Sequence, residues 1–287
     1  MTKSSRTTLA AALLACTAAA SHAAIWSDTS IGARTGNKYA EPFGSNDIKK
    51  GIVNFNHVSG FSLGSNFFNI DYLVSSSLDP AGAGSTNGAT EFYAVYRNTL
   101  DLEKLAGSPF KFGGVRGFGL TWGFDANAKT DAGYNSKKRM FVLGPTVFVD
   151  VPGFLNVSLL LLKESNAPYN TFSKASTPRY TYKTHPMLTA AWGIPLGGGF
   201  AFEGFANLIA SKGKNEFGGD TAVETNIDAQ VMYDVGALMG AKGSFKVGFE
   251  YQYWKNKFGN QTTSKIGPGA GPGATAKTPM LRAEYHF

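Results

Sequence analysis

Apolar residues recur at every second position along most of the chain. The clearest stretch sets Phe245, Val247, Phe249, Tyr251 and Tyr253 on one side and Lys246, Gly248, Glu250 and Gln252 on the other, the period of a half-buried strand. Phe118, Leu120, Trp122 and Phe124 alternate in the same way with Gly119, Thr121, Gly123 and Asp125, and Ile227, Val231 and Tyr233 with Asn226, Asp228 and Gln230. Leu155, Val157, Leu159 and Leu161 follow the rule too, although Leu160 and Leu162 interrupt their polar side. Twelve strand candidates emerge, at 26–35, 50–58, 63–74, 90–99, 113–126, 138–151, 154–164, 178–193, 199–210, 222–234, 243–255 and 277–287. The connections after the first, third, fifth, seventh, ninth and eleventh are long and polar, as at 75–89 and 256–276, whereas most of the others are tight, as at Val151-Pro152-Gly153 and 194–198. At 100–112 the run Leu102-Glu103-Lys104-Leu105 suits a helical turn. Long loops on one rim and short turns on the other are the arrangement of outer-membrane barrels.

Composition narrows the alternatives. Of 287 residues only 16% are charged, against about 25% in soluble domains. The mean hydropathy of -0.13 and the lack of long apolar runs exclude a helical membrane bundle, each span of which needs roughly 20 apolar residues. The 22 Phe, 12 Tyr and 35 Gly are too many for a disordered chain. Residues 1–23 read as a cleaved signal peptide: Lys3 and Arg6 supply the positive end, 9–15 an apolar centre, and Ser21-His22-Ala23 the small residues of a cleavage site. Cys16, the only cysteine, leaves with it, and the net charge falls from +7 to +5. The remainder, 24–287, reads as a single domain. An exported chain whose only spanning elements are amphipathic strands must close them into a barrel, because hydrocarbon offers no partner to an open edge. The final strand fits, with Leu281, Ala283, Tyr285 and Phe287 outward and Arg282, Glu284 and His286 inward.

Alternation then selects the residues that face the bore. Glu91, Tyr93 and Arg97 share one strand, Arg179, Thr181, Lys183 and His185 another, and Glu224, Asn226, Asp228 and Gln230 a third; Glu203, Asn207, Lys246, Glu250, Trp254 and Arg282 join them. A lumen of both charge signs suits solutes with paired donors and acceptors, and Tyr93, Phe148 and Trp254 could stack on an aromatic cargo. The same charges could instead fill the barrel and block it. Tyr180, Tyr182, Trp122, Tyr251, Tyr253 and Tyr285 are candidates for interfacial girdles. His57, His185 and His286 have no local serine spacing that selects a nucleophile–base pair, so no catalytic residue is assigned. No metal or cofactor is expected: 267–273 is glycine-rich but punctuated by proline, and Glu216 with Asp220 reads as a solvated turn. Without basic runs, the positive charge is no argument for nucleic acid.

Several blocks resemble the Tsx-type nucleoside-specific outer-membrane channels. They are Val53-Asn54-Phe55-Asn56-His57-Val58-Ser59-Gly60-Phe61, Phe67-Phe68-Asn69-Ile70-Asp71, Gly144-Pro145, Asp150-Val151-Pro152-Gly153-Phe154, and the run from Glu250 to Gly259. The resemblance runs from about Trp26 to Phe287. It implies a monomeric twelve-stranded barrel in the outer membrane that passes nucleosides by facilitated diffusion, with no enzyme activity; some relatives serve as phage receptors. A terminal aromatic such as Phe287 resembles the signal read by the outer-membrane assembly machinery. The expected function is therefore a selective channel for nucleosides or similar small aromatic metabolites, and the rivals are a surface receptor or adhesin with a blocked lumen and an outer-membrane hydrolase.

Overall fold

The computed structural model describes residues 24–79, 88–170, 173–263 and 269–287; the expected signal segment, with Cys16, lies outside them. Twelve long strands follow one another: β1 (Trp26–Tyr39), β2 (Ile48–Phe61), β3 (Gly64–Ser75), β4 (Thr90–Asp101), β5 (Val115–Lys129), β6 (Arg139–Val149), β7 (Phe154–Asn166), β8 (His185–Gly197), β9 (Phe200–Ile209), β10 (Glu224–Asp234), β11 (Phe245–Lys255) and β12 (Thr275–His286). Each pairs antiparallel with the next. β12 then returns to β1, with Ala33 opposite Ala283 and Gly36 opposite Met280. The sheet therefore closes and leaves no edge, and every strand finds backbone partners on both sides, as a hydrocarbon solvent demands.

The expected loop asymmetry holds. The turns joining β2 to β3, β6 to β7 and β8 to β9 are tight; Gly198 and Gly199, both at positive φ (59° and 85°), reverse the chain between β8 and β9 in a conformation that only glycine adopts freely. The expected helical turn is α1 (Leu102–Ala106), where the Asp101 carboxylate accepts from the Glu103 amide and Gly107 ends the turn in the left-handed region. Several strands outrun their expected bounds, β1 reaching Tyr39 rather than 35. Beyond the membrane slab a strand needs no contrast between its faces, so alternation fades before the pairing does.

The two faces are those that alternation indicates. Ile31, Val53, Leu159, Leu161, Phe249 and Leu281 all point outward and are more than half exposed, Phe249 at 73%. A continuous wall of such residues is tolerable only against lipid. Aromatic pairs gather toward the short-turn rim, where Phe200 meets Tyr233, Trp192 meets Phe202, and Tyr285 stacks with Phe287, as interfacial girdles do; Tyr96 packs on Trp122 and Phe124 midway along β4 and β5. Tyr182, expected among them, is buried instead and donates to Glu216 Oε2 at 2.6 Å.

The inner face is not uniformly polar. Val142, Leu160, Leu162 and Met187 form one buried apolar cluster, and Tyr39, Ile48, Ile52 and Met280 another. Both sit in the half of the bore nearer the long loops. Leu160 and Leu162 break the polar side of β7 because they pack on each other's neighbours inside the barrel.

Candidate permeation pathway

Strand pairing sets which side chains meet in the bore, since directly opposed residues share a face. Across the middle, Arg34 on β1 pairs with Asp71 on β3 (2.7 Å) and lies 3.3 Å from Glu250 on β11. Glu250 also receives Arg282 of β12 at 2.8 Å, and Arg282 reaches Glu284 at 2.5 Å. Asp228 of β10 accepts from Gln252 at 3.1 Å. On the facing wall Arg97 of β4 pairs with Asp125 of β5, to which Tyr93 donates at 2.9 Å. Toward the short-turn end the bore is wetter. Glu203 accepts from Gln230 at 2.9 Å and stands 3.8 Å from Lys246, with side-chain exposures of 26% and 23%. Midway along the bore Phe205, opposite Asp228 and therefore inward, is 36% exposed.

The long-loop mouth is built differently. Glu41, in the loop between β1 and β2, holds three lysines at once: Lys50 of β2 at 2.5 Å, Lys257 from the loop between β11 and β12 at 3.1 Å, and Lys129 of β5 at 3.4 Å. Asp79 adds contacts to Lys129 (3.0 Å) and Lys50 (3.4 Å), and Glu91 lies 4.0 Å from Lys50. Lys257 also donates to the Ala40 carbonyl and sits 4.8 Å from the Trp254 ring, beside Phe258. A second knot lies alongside, where Glu164 binds Lys212 (2.8 Å) and Lys138 (3.2 Å) and Lys138 rests 4.1 Å from the Phe258 ring. Burial pulls the Glu41 carboxyl up, but the charges of Lys257, Lys50 and Lys129 hold it well below the usual carboxylate range. Desolvation lowers the ammonium pKa of Lys257 despite Glu41, and that of Lys212, where Lys138 adds a like charge.

Of the residues expected in the bore, Glu91, Tyr93, Arg97, Phe148, Glu203, Glu224, Asp228, Lys246, Glu250, Trp254 and Arg282 lie on inward strand positions. Arg179 and Lys183 do not. The expected strand 178–193 is two pieces: Tyr180–Thr181 pairs with the end of β7, and β8 begins at His185. The irregular residues between them shift the phase, so Tyr182 and His185 are buried while Arg179, Thr181 and Lys183 are exposed outside the barrel. The three aromatics expected to stack are inward but already engaged: Tyr93 with Asp125, Phe148 under Arg116, and Trp254 donating to Glu224 at 2.6 Å. Alternation could have found Arg34, Lys50, Asp71, Asp125 and Glu164, which are in phase on their own strands. Glu41, Lys212 and Lys257 lie on loops, whose direction no periodicity records.

The histidines bond to Thr29 (His57), the Lys183 carbonyl (His185), and Asp28 with Glu284 (His286). Closure, an apolar skin and a charged interior are now established. The chain is a closed, twelve-stranded transmembrane β-barrel. No family model matches it and no curated protein matches it. Among solved structures it is similar to the KdgM porin (10% identity, TM-score 0.41, covering 90% of this chain and 99% of that one) and to the translocator domain of the autotransporter NalP from Neisseria meningitidis (12%, 0.45, 98% and 96%). It is also similar to the anion-selective porin from Comamonas acidovorans (10%, 0.36, 91% and 99%). At these values the likeness says nothing of cargo, and the barrel assignment rests on its own strand pairing.

Proposed function

We propose that the barrel is a gated channel for passive diffusion of small solutes that combine a hydrogen-bonding edge with an aromatic face, nucleosides being the class that its likeness to Tsx-type channels implies. One observation carries this reading: charged groups of both signs near the short turns and an aromatic face, Phe205, midway along the bore stay in contact with water, while among the described residues the opposite mouth is closed by buried ion pairs that join loop residues to strand residues. A seal made of side-chain ion pairs to loop residues is removable without unfolding the wall. Weak contacts in series, rather than one tight site, are what permeation needs, and Arg97, Glu203, Lys246 and Phe205 offer them. The structure holds a buried mouth network, which equally favours a second reading, a surface receptor whose bore never conducts. Residues 1–23 would direct export. Single-channel current in planar bilayers, with adenosine, thymidine and glucose as competing blockers, separates the two: nucleoside block of a measurable current supports the channel, and a folded barrel with no current or solute flux at any voltage or pH supports the receptor.

A further inference from the structure

Outside the bore, the long-loop rim carries a basic group that the channel reading leaves unused. Arg139 opens β6 and faces outward, opposite Ser165 on β7. Arg179 donates to that Ser165 hydroxyl at 3.0 Å and to the Lys137 carbonyl at 3.2 Å. Lys163, opposite Phe141, points the same way from β7. Arg139, Lys163 and Arg179 are all exposed, and among the described residues none of them forms an ion pair with a carboxylate. Inside the barrel Arg34, Arg97 and Arg282 are each paired with a carboxylate, whereas these three outward cations stand close together with none. Both arginines converge on Ser165, and partial burial together with the like charge of Arg139 lowers the pKa of Arg179. On the same strands the wall is lipid-facing Phe141, level with Lys163 and one outward position below Arg139, and then Leu143, Leu159 and Leu161. Two residues of strand span about 7 Å, so the cations sit where acyl chains end and headgroups begin.

We propose that Arg139, Arg179 and Lys163 form a binding site on the barrel's outer surface for the phosphates of an anionic membrane lipid in the leaflet at the long-loop rim. Guanidinium forks match phosphate oxygens in bidentate geometry, and the apolar wall beneath supplies a surface for the lipid's chains. A free phosphate would gain only the charges; a lipid gains both.

The test uses the full barrel in phosphatidylcholine nanodiscs containing lipid A, its dephosphorylated form, or inorganic phosphate added to the solution, and reads retained lipid by native mass spectrometry. Wild type should keep lipid A selectively. The double variant Arg139→Gln, Arg179→Gln should lose retention about thirtyfold, each basic residue near an anionic surface being worth roughly a factor of five. Lys255→Gln with Lys277→Gln, exposed on another wall, should retain lipid A as wild type does. Heat-dependent gel migration verifies that each variant is folded; if the double variant does not fold, Arg139→Gln alone, measured in the same way, should show a loss of about fivefold. Equal retention by wild type and double variant, equal retention of the dephosphorylated lipid, or displacement of lipid A by inorganic phosphate would each overturn the proposal.

Discussion

Replacing Glu41 with Gln tests the mouth most directly. The carboxylate is the shared partner of Lys50, Lys129 and Lys257, all within 3.4 Å. Their side chains are at most 8% exposed. Without it Lys50 and Lys129 retain Asp79, but among the described residues Lys257 keeps only a backbone carbonyl and two ring faces as direct contacts. Removing one partner from a buried ion pair costs about 3 to 5 kcal/mol, mainly from the charge left behind. Even the lower figure changes a closed-to-open ratio by about 150-fold. The cost falls on the loop contacts rather than the strand ladder, so Glu41→Gln should raise open probability in planar bilayers while the folded form persists on unheated gels. The wild type should reproduce the effect in acid. A carboxylate whose pKa is depressed in the closed mouth stabilises closure at every pH above its ordinary value of about 4. That stabilisation is lost as pH falls through the depressed value, so opening belongs to strongly acid solution and should be absent at pH 6 to 8. Folded Glu41→Gln barrels with wild-type gating at neutral pH would refute the reasoning.

Further outcomes follow from the wall and the bore. Phe249→Arg puts a charge on the lipid face at a position 73% exposed, and should destabilise insertion by about 2 to 4 kcal/mol if near the midplane, read by urea titration in liposomes. Leu160→Ala empties part of a packed cluster at 1% exposure and should cost about 2 to 5 kcal/mol in the same titration, with little change in ion selectivity. Glu203→Gln, by contrast, alters a part-exposed site, where the residue accepts from Gln230 at 2.9 Å and forms a loose pair with Lys246 at 3.8 Å worth about 1 kcal/mol or less. It should shift the reversal potential toward anions and leave stability nearly unchanged; an unaltered reversal potential in a conducting barrel would exclude Glu203 from the ion path.

Much of this molecule is written in its alternation. A strand that meets lipid on one side and water on the other must change polarity at every residue, so Phe249, Glu250 and Tyr251 reveal their faces without neighbours, and the loop lengths reveal which rim is which. Leu160 and Leu162 violated that pattern for a reason only packing discloses: an interior narrow enough to fill with side chains need not be polar wherever two apolar groups can exclude water together. Arg179 and Lys183 fall outside the bore because phase survives only as far as the strand does, and three irregular residues reset it. Periodicity assigns a direction to residues that lie in a ladder, and it assigns none to Glu41, Lys212 or Lys257. Those charges meet at the mouth because closure of the barrel brings loops from distant parts of the chain within 4 Å of one another, a condition that depends on all twelve strands at once.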